Sequence, residues 1–191
     1  VARAGLTQIK LVTAAGDLAD RIGFDNVTIA ALARGFGIKD ASIYSHIKNL
    51  HDLRVQVALS AAQDFADRIG AAVAGRSGKD ALVAFADAYR EFAVHHPGRY
   101  AATQMQLDAT TAESSPAYRR ILDTTYALFH GYGLTEPDLT DAVRLLRSFF
   151  HGFAALEASG GFGHPRGLAT SWQRDLDALD FTLRHWSSTH D

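Results

Sequence analysis

The stretch Thr28-Ile-Ala-Ala-Leu-Ala-Arg-Gly-Phe-Gly-Ile-Lys-Asp-Ala-Ser-Ile-Tyr-Ser-His-Ile-Lys48 decides the fold. Thr28 carries the side-chain oxygen that an N-cap needs. Ile29, Leu32 and Ala33 then fall on one face of a short helix. Ala33 is small where a second helix must cross closely. Gly37 tolerates the positive φ that a tight turn demands and that a Cβ would resist. Ile38, Ile43 and Ile47 supply the buried face of a second short helix, expected over about Lys39 to His46. The remaining face presents Lys39, Asp40, Ser42, Tyr44, Ser45 and His46, a polar surface of the size that enters a major groove. These are the parts of a helix-turn-helix.

Working outward, a first helix is expected from about Leu6 to Ile22, with Ile9, Val12, Ala15, Leu18, Ala19 and Ile22 facing inward and Gly23 as its stop. Asn49 separates the helix-turn-helix from a fourth helix that starts near Leu50 and runs towards Gly70. Past Gly75-Arg76-Ser77-Gly78, longer helices are expected near 79–96, 98–107, 115–132, 136–159 and 168–187. The run Gly160-Gly161-Phe162-Gly163-His164-Pro165 is the clearest late loop. No alternating β-branched run bounded by hairpin turns occurs, so the fold class is all-α. The expected layout is a three-helix helix-turn-helix head over 1–50 and a larger helical-bundle body over 51–191, for ligand binding and dimerisation.

Composition narrows the function. Of 191 residues, 47% are hydrophobic and 21% charged, which excludes disorder over most of the chain. No stretch approaches the roughly 18 uninterrupted apolar residues of a membrane span. There is no cysteine, hence no disulfide framework, thiolate chemistry or zinc finger. No secretory signal pattern is visible, and a cytoplasmic location is expected. The net charge of −2 argues mildly against nucleic acid as a partner. That average hides a split. Residues 1–54 hold seven basic and five acidic side chains, net +2, and the remainder holds 12 basic and 16 acidic, net −4.

The last two helices each carry an apolar stripe. Leu139, Val143, Leu146, Phe150 and Phe153 recur at steps of three and four, as do Trp172, Leu176, Leu179, Leu183 and Trp186. Ala142, Leu145, Phe149, Gly152 and Leu156 form a second stripe on the 136–159 helix. A helix apolar on two sides needs two partners. The first two sets are expected to form a four-helix interface between two copies, with Gly152 allowing close approach. Sixteen of the 19 aromatic residues follow residue 54. Phe85, Tyr89, Phe92, Tyr100, Met105, Tyr126, Phe129 and Phe149, with His95 and His151 as polar tips, are the candidate lining of a small-molecule pocket; packed core is the competing reading of the same residues.

Three segments together resemble the TetR family of bacterial transcriptional regulators: Phe24-Asp25-Asn26-Val27-Thr28, the Ala33 to Gly37-Ile38 turn, and Ser42-Ile43-Tyr44-Ser45-His46-Ile47-Lys48. The region Arg147-Ser148-Phe149-Phe150-His151-Gly152-Phe153, with Leu156-Glu157 and the late glycine loop, resembles a subgroup whose C-terminal domain is named for a Trp-His-Gly triplet. Here the triplet is Phe150-His151-Gly152. Leu50 stands where many members have a basic residue.

The resemblance implies a ligand-responsive repressor that binds a palindromic double-stranded DNA operator as a homodimer and is released by a small-molecule effector. It implies that Thr28 meets a phosphate, that Tyr44, His46 and Lys48 contact the backbone, and that Lys39, Ala41, Ser42 and Ser45 lie nearest the base edges. Asp40 either caps its helix or accepts from a cytosine amine. Two other classes compete. An architectural or partner-binding helix-turn-helix protein would need no small ligand. A bundle metal enzyme would need paired Glu-x-x-His motifs, whereas Glu91 and His95 stand alone. No catalytic residue, metal or cofactor is expected.

Overall fold

The computed structural model describes residues 6–186. Among them are ten α-helices and no strand: α1 (Gln8–Ile22), α2 (Ile29–Phe36), α3 (Asp40–Ile43), α4 (Leu50–Val73), α5 (Gly78–His95), α6 (Pro97–Thr103), α7 (Ala109–Ser114), α8 (Pro116–His130), α9 (Asp138–Ala158) and α10 (Leu168–Arg184). A single 3-10 turn, Phe24–Asn26, joins α1 to α2.

Local chemistry sets the helix ends in the head. The Thr28 hydroxyl accepts from the Ala31 N–H at 3.1 Å and caps α2. Gly37 sits in the left-handed region at φ 64°, where its N–H meets the Arg34 carbonyl and the Ile38 N–H reaches back to Ala33 at 3.1 Å. That double closure ends α2 in a Schellman turn, and a side chain at Gly37 would be strained. At the start of α4, Asn49 Oδ1 accepts from the Asp52 N–H at 2.8 Å, while Asp52 Oδ2 accepts from the Lys48 N–H at 2.8 Å. This reciprocal capping fixes where the recognition segment ends.

The contacts divide the chain into two compact units. The first runs to Phe65 and takes in His95–Tyr118. Its core is built from Leu11, Val12, Ala15 and Ala19 of α1, Phe24 and Val27, Ile29, Leu32 and Ala33 of α2, Ile43 and Ile47, and Leu53, Val57, Ala58 and Ala61 of α4. Ala102 of α6 completes it. So the unit that holds the helix-turn-helix extends past the 50/51 boundary expected from sequence, because α4 and α6 both contribute core side chains.

α6 lies along α1 in that unit. Gly98 is buried, and a Cβ there would fall inside the van der Waals envelope of the Ala19 carbonyl and the Asp20 nitrogen. Next to it, the Arg99 guanidinium pairs with both Asp17 and Asp20, and the Arg99 N–H donates to Asp20 Oδ1 at 2.8 Å. Burial works against the Arg99 charge, but the hydrogen bonds and charges of Asp17 and Asp20 outweigh it, so its pKa is raised.

The second unit comprises Ala66–Val94 and the chain from Arg119 onward. Its centre is aromatic. Trp172 of α10 stacks on Phe149 with ring centres 5.7 Å apart and meets Phe153 at 4.7 Å. Its indole N–H donates to Asp87 at 2.7 Å. Arg90 of α5 lies over the rings of Phe153 and Trp172 at 5.6 and 5.5 Å and forms a bidentate pair with Glu157 at 2.6 and 2.7 Å.

Several sequence expectations shift. The helix expected over 98–107 stops at Thr103, because the chain turns so that Met105 and Leu107 pack on the head core. A separate α7 then starts under the Asp108 cap, whose carboxylate accepts from the Thr111 N–H at 2.9 Å. α3 covers four residues, fewer than the 39–46 expected. Ile9 and Ile22 were expected to face inward but are 78% and 40% exposed, because they sit in the first and last turns of α1, beyond the edge of the core.

Candidate nucleic-acid interface and ligand cavity

The buried faces of α2 and α3 determine what the head shows to solvent. Ile43 and Ile47 are 0% and 1% exposed. The residues between and beside them therefore point away from the core. Thr28, Lys39, Asp40, Ala41, Ser42, Tyr44, Ser45 and Lys48 are all exposed, and His46 is half-buried. All nine expected DNA-contacting residues thus belong to one surface segment of one compact unit. The hydroxyl of Ser45 donates to the Ser42 carbonyl at 2.8 Å, so its outward side offers lone pairs. Leu50 packs against the head core, which explains an apolar residue where a phosphate-contacting base is common.

Charge on this head is less opposed than the sequence count suggests. Asp17 and Asp20 share the positive charge of Arg99, which lies outside residues 1–54 and offsets one of their two charges. Asp52 is engaged at the start of α4. Lys39, Lys48 and Arg34 are exposed and carry no ion pair among the described residues.

A cavity of about 320 Å³ opens in the same unit, lined by Leu59 and Gln63 of α4, Thr111, Ser114 and Ser115, and Pro116 and Ala117 at the start of α8. Sequence reasoning missed it, since hydroxyl-bearing residues in a short helix look like a loop. None of the ten expected pocket residues lines it. Phe85, Tyr89, Phe92 and Phe129 are buried side chains of the second unit, and Phe85 and Tyr89 pack on Phe150 at 6.0 and 5.4 Å. Tyr126, Phe149 and His151 belong to that unit also, with His151 exposed. His95, Tyr100 and Met105 fall in the first unit, where Met105 packs on the head core and His95 is exposed. Phe85, Tyr89 and Phe149 each pack on Phe150.

The stripe expected between two copies is largely buried within a single chain. Leu146, Phe150, Phe153, Trp172, Leu176, Leu179 and Leu183 are between 0% and 8% exposed in a single chain. Such side chains have no surface left to give a partner. Leu139, Val143 and Trp186 are half-buried. On the second stripe Leu145 and Leu156 are 36% and 47% exposed and nothing lies within 4 Å of a Cβ at Gly152, while Ala142 is buried and Phe149 is half-buried against Trp172. On α10, Phe181 is 63% exposed.

Among the described residues, no group of three or more His, Cys, Asp or Glu is placed to hold a metal, and no helix is long and apolar enough to cross a membrane.

Comparison with known proteins places this geometry. A family described as the tetracyclin repressor-like C-terminal domain matches residues 82–179. An uncharacterized HTH-type transcriptional regulator of Mycobacterium tuberculosis is 38% identical over 158 residues, covering 82% of this chain and 72% of that protein. Another from Bacillus subtilis, YobS, is 31% identical over 186 residues, covering 97% and 93%. Among solved structures, a protein of unknown function from Rhodococcus sp. RHA1 superposes with a TM-score of 0.78 at 21% identity, over 96% of this chain and 98% of that one. BioQ with its double-stranded DNA operator gives 0.68 at 18% identity, over 95% and 99%. Streptomyces coelicolor ActR, in complex with (S)-DNPA, gives 0.67 at 17% identity, over 96% and 100%. An exposed recognition segment on a capped helix-turn-helix, matched across nearly the whole chain by HTH-type regulators and in its C-terminal half by the repressor-like domain, means that the chain belongs to the TetR family of transcriptional regulators.

Proposed function

We propose that this regulator is a ligand-responsive repressor that binds a palindromic operator as a homodimer and is released by a small molecule. The observation that carries the reading is a shared helix. Leu59 and Gln63 line the cavity, and Val57, Ala58 and Ala61 of the same helix lie in the core of the head. A rigid helix rises about 1.5 Å per residue, so an occupant that displaces the cavity wall displaces head core within one turn. α7, on the other side, is joined by the turn over 104–108 to α6, whose Gly98 and Arg99 grip α1. Differential affinity of the ligand for two settings of α4 would shift the head between binding and released states. Supporting the same reading, two structural neighbours of this fold were solved with an operator and with a small molecule. The wall chemistry, with aliphatic residues, three hydroxyls and one amide, suits a small uncharged molecule with polar tips.

The test uses the full chain and a duplex selected from a random pool. Small molecules that raise its melting temperature are collected, and operator affinity is measured with each at fixed salt. Loss of affinity is expected for molecules whose stabilisation disappears in a Ser115→Trp variant, which fills the cavity. A molecule that binds there tightly and leaves operator affinity unchanged would sink the mechanism.

Pairing of copies runs, in this proposal, through the open stripe of α9. Leu145, Gly152 and Leu156 share it. A mid-helix glycine costs about 0.5–1 kcal/mol relative to alanine. Nothing in one chain uses the space at Gly152. A chain carrying Leu145→Glu and Leu156→Glu should run as a monomer in analytical ultracentrifugation and bind its operator about 100-fold more weakly, through lost avidity. A dimer of unchanged stability would move the interface elsewhere.

A further inference from the structure

The exposed face of the recognition segment contains one carboxylate, which stands in the first turn of α3 and makes no hydrogen bond or ion pair among the described residues. Asp40 is the first residue of α3 and is exposed. It does not cap its own helix, since α3 has no side-chain cap hydrogen bond. Nor does it form an ion pair or hydrogen bond among the described residues. The other head acids have occupations or lie elsewhere. Asp17 and Asp20 hold Arg99, Asp52 caps the start of α4, and Asp25 belongs to the 3-10 turn after α1. Next to a phosphate polyanion, an unpaired carboxylate lowers affinity for every sequence alike. A favourable contact of this carboxylate with DNA requires base edges that offer N–H groups.

The four bases differ sharply in this respect. In the major groove thymine shows O4 and a methyl, and guanine shows N7 and O6, so both would face the carboxylate with lone pairs. Adenine shows an N6 amine beside the N7 acceptor, which suits an amide better than a carboxylate. Cytosine shows an N4 amine with no acceptor on the same edge. Ser45 points the same way: its proton is held by the Ser42 carbonyl, so it too meets DNA as an acceptor.

We propose that Asp40 is a specificity-determining residue, requiring a cytosine at one symmetric position in each operator half-site through its N4 amine. The inference rests on the operator-binding reading above and adds the base that is read.

The experiment is selection of duplexes from a random pool by the full-length protein and by its Asp40→Ala and Asp40→Asn variants, followed by affinity measurements at one salt concentration. The wild type is expected to enrich a C·G pair at the same place in both half-sites. Replacing that cytosine with any other base should weaken binding about tenfold, within the roughly 5- to 150-fold range of single base contacts. Asp40→Ala should bind all four base pairs there within about twofold, keep the preferences at other positions, and bind unrelated DNA more tightly. Asp40→Asn should shift the preference to adenine. Matching melting curves exclude a folding defect, and Asp40→Asn serves if Asp40→Ala does not fold. An unchanged selected site in both variants overturns the proposal, as does a gain in affinity that is uniform across all duplexes. Failure of the wild type to enrich any duplex overturns the operator reading itself, and this inference with it.

Discussion

Gly98→Ala should strip α6 from α1 and destabilise the first compact unit by about 3 kcal/mol or more, at the upper end of overpacking penalties. The added methyl would collide with the Ala19 carbonyl and the Asp20 nitrogen, which are backbone atoms of a helix and have no rotamer to retreat into. Relief requires α6 to move as a body. That movement would pull Ala102 from the head core and break the Arg99 pairs with Asp17 and Asp20. Urea unfolding should show the loss, and hydrogen exchange should show α6 and the last turns of α1 opening first. Gly35→Ala is the internal control. It adds the same methyl to a helix where nothing lies within 4 Å, and it should be neutral or stabilising by up to about 1 kcal/mol. Equal stability of the two variants would remove the close contact from the account.

Trp172→Ala should cost the second unit about 3–5 kcal/mol, a 150- to 5,000-fold shift in its folding equilibrium. The indole is 2% exposed and touches the rings of Phe149, Phe150 and Phe153. Removing it also leaves Arg90 without one of its two ring faces and Asp87 without the 2.7 Å hydrogen bond. Trp172→Phe separates these contributions. It retains most ring packing and loses the hydrogen bond, worth about 1 kcal/mol. Near-ultraviolet circular dichroism and thermal melting check both. A Trp172→Ala chain that melts like wild type would mean that the aromatic cluster is not the core of this unit.

What the sequence made legible is what short-range chemistry controls. Thr28 caps α2 and Gly37 adopts the left-handed turn because both requirements lie within a few residues of backbone. Ile43 and Ile47 are buried because their spacing leaves one face for the core. What failed was long-range. Periodicity showed that α9 is apolar on two sides but carried no information on which side meets its own chain. The answer depends on Trp172 and Arg90, 22 residues after and 60 residues before Phe150, closing over the Phe150–Phe153 face. The same limit holds for the aromatic residues, since ring spacing is identical in a pocket wall and in a filled core and leaves both readings open. The cavity itself escaped notice because Thr111, Ser114 and Ser115 become one wall only once Asp108 starts a helix that composition had concealed.

The grip of Gly98 and Arg99 on α1 bears on how such regulators can be recombined. The DNA-reading segment reads as a cassette of some fifty residues, yet part of its support is supplied from almost fifty residues downstream of its end. Transplanting residues 1–50 onto an unrelated body would leave the Ala19 backbone uncovered and Asp17 and Asp20 without their counter-charge. A working chimera has to exchange two separated pieces of gene at once, the head with α4 as far as Phe65, and the segment from His95 to Tyr118. Crossovers placed between them should yield hybrids whose DNA-reading unit folds poorly. The reading specificity of this protein is therefore inherited together with its α6, not apart from it.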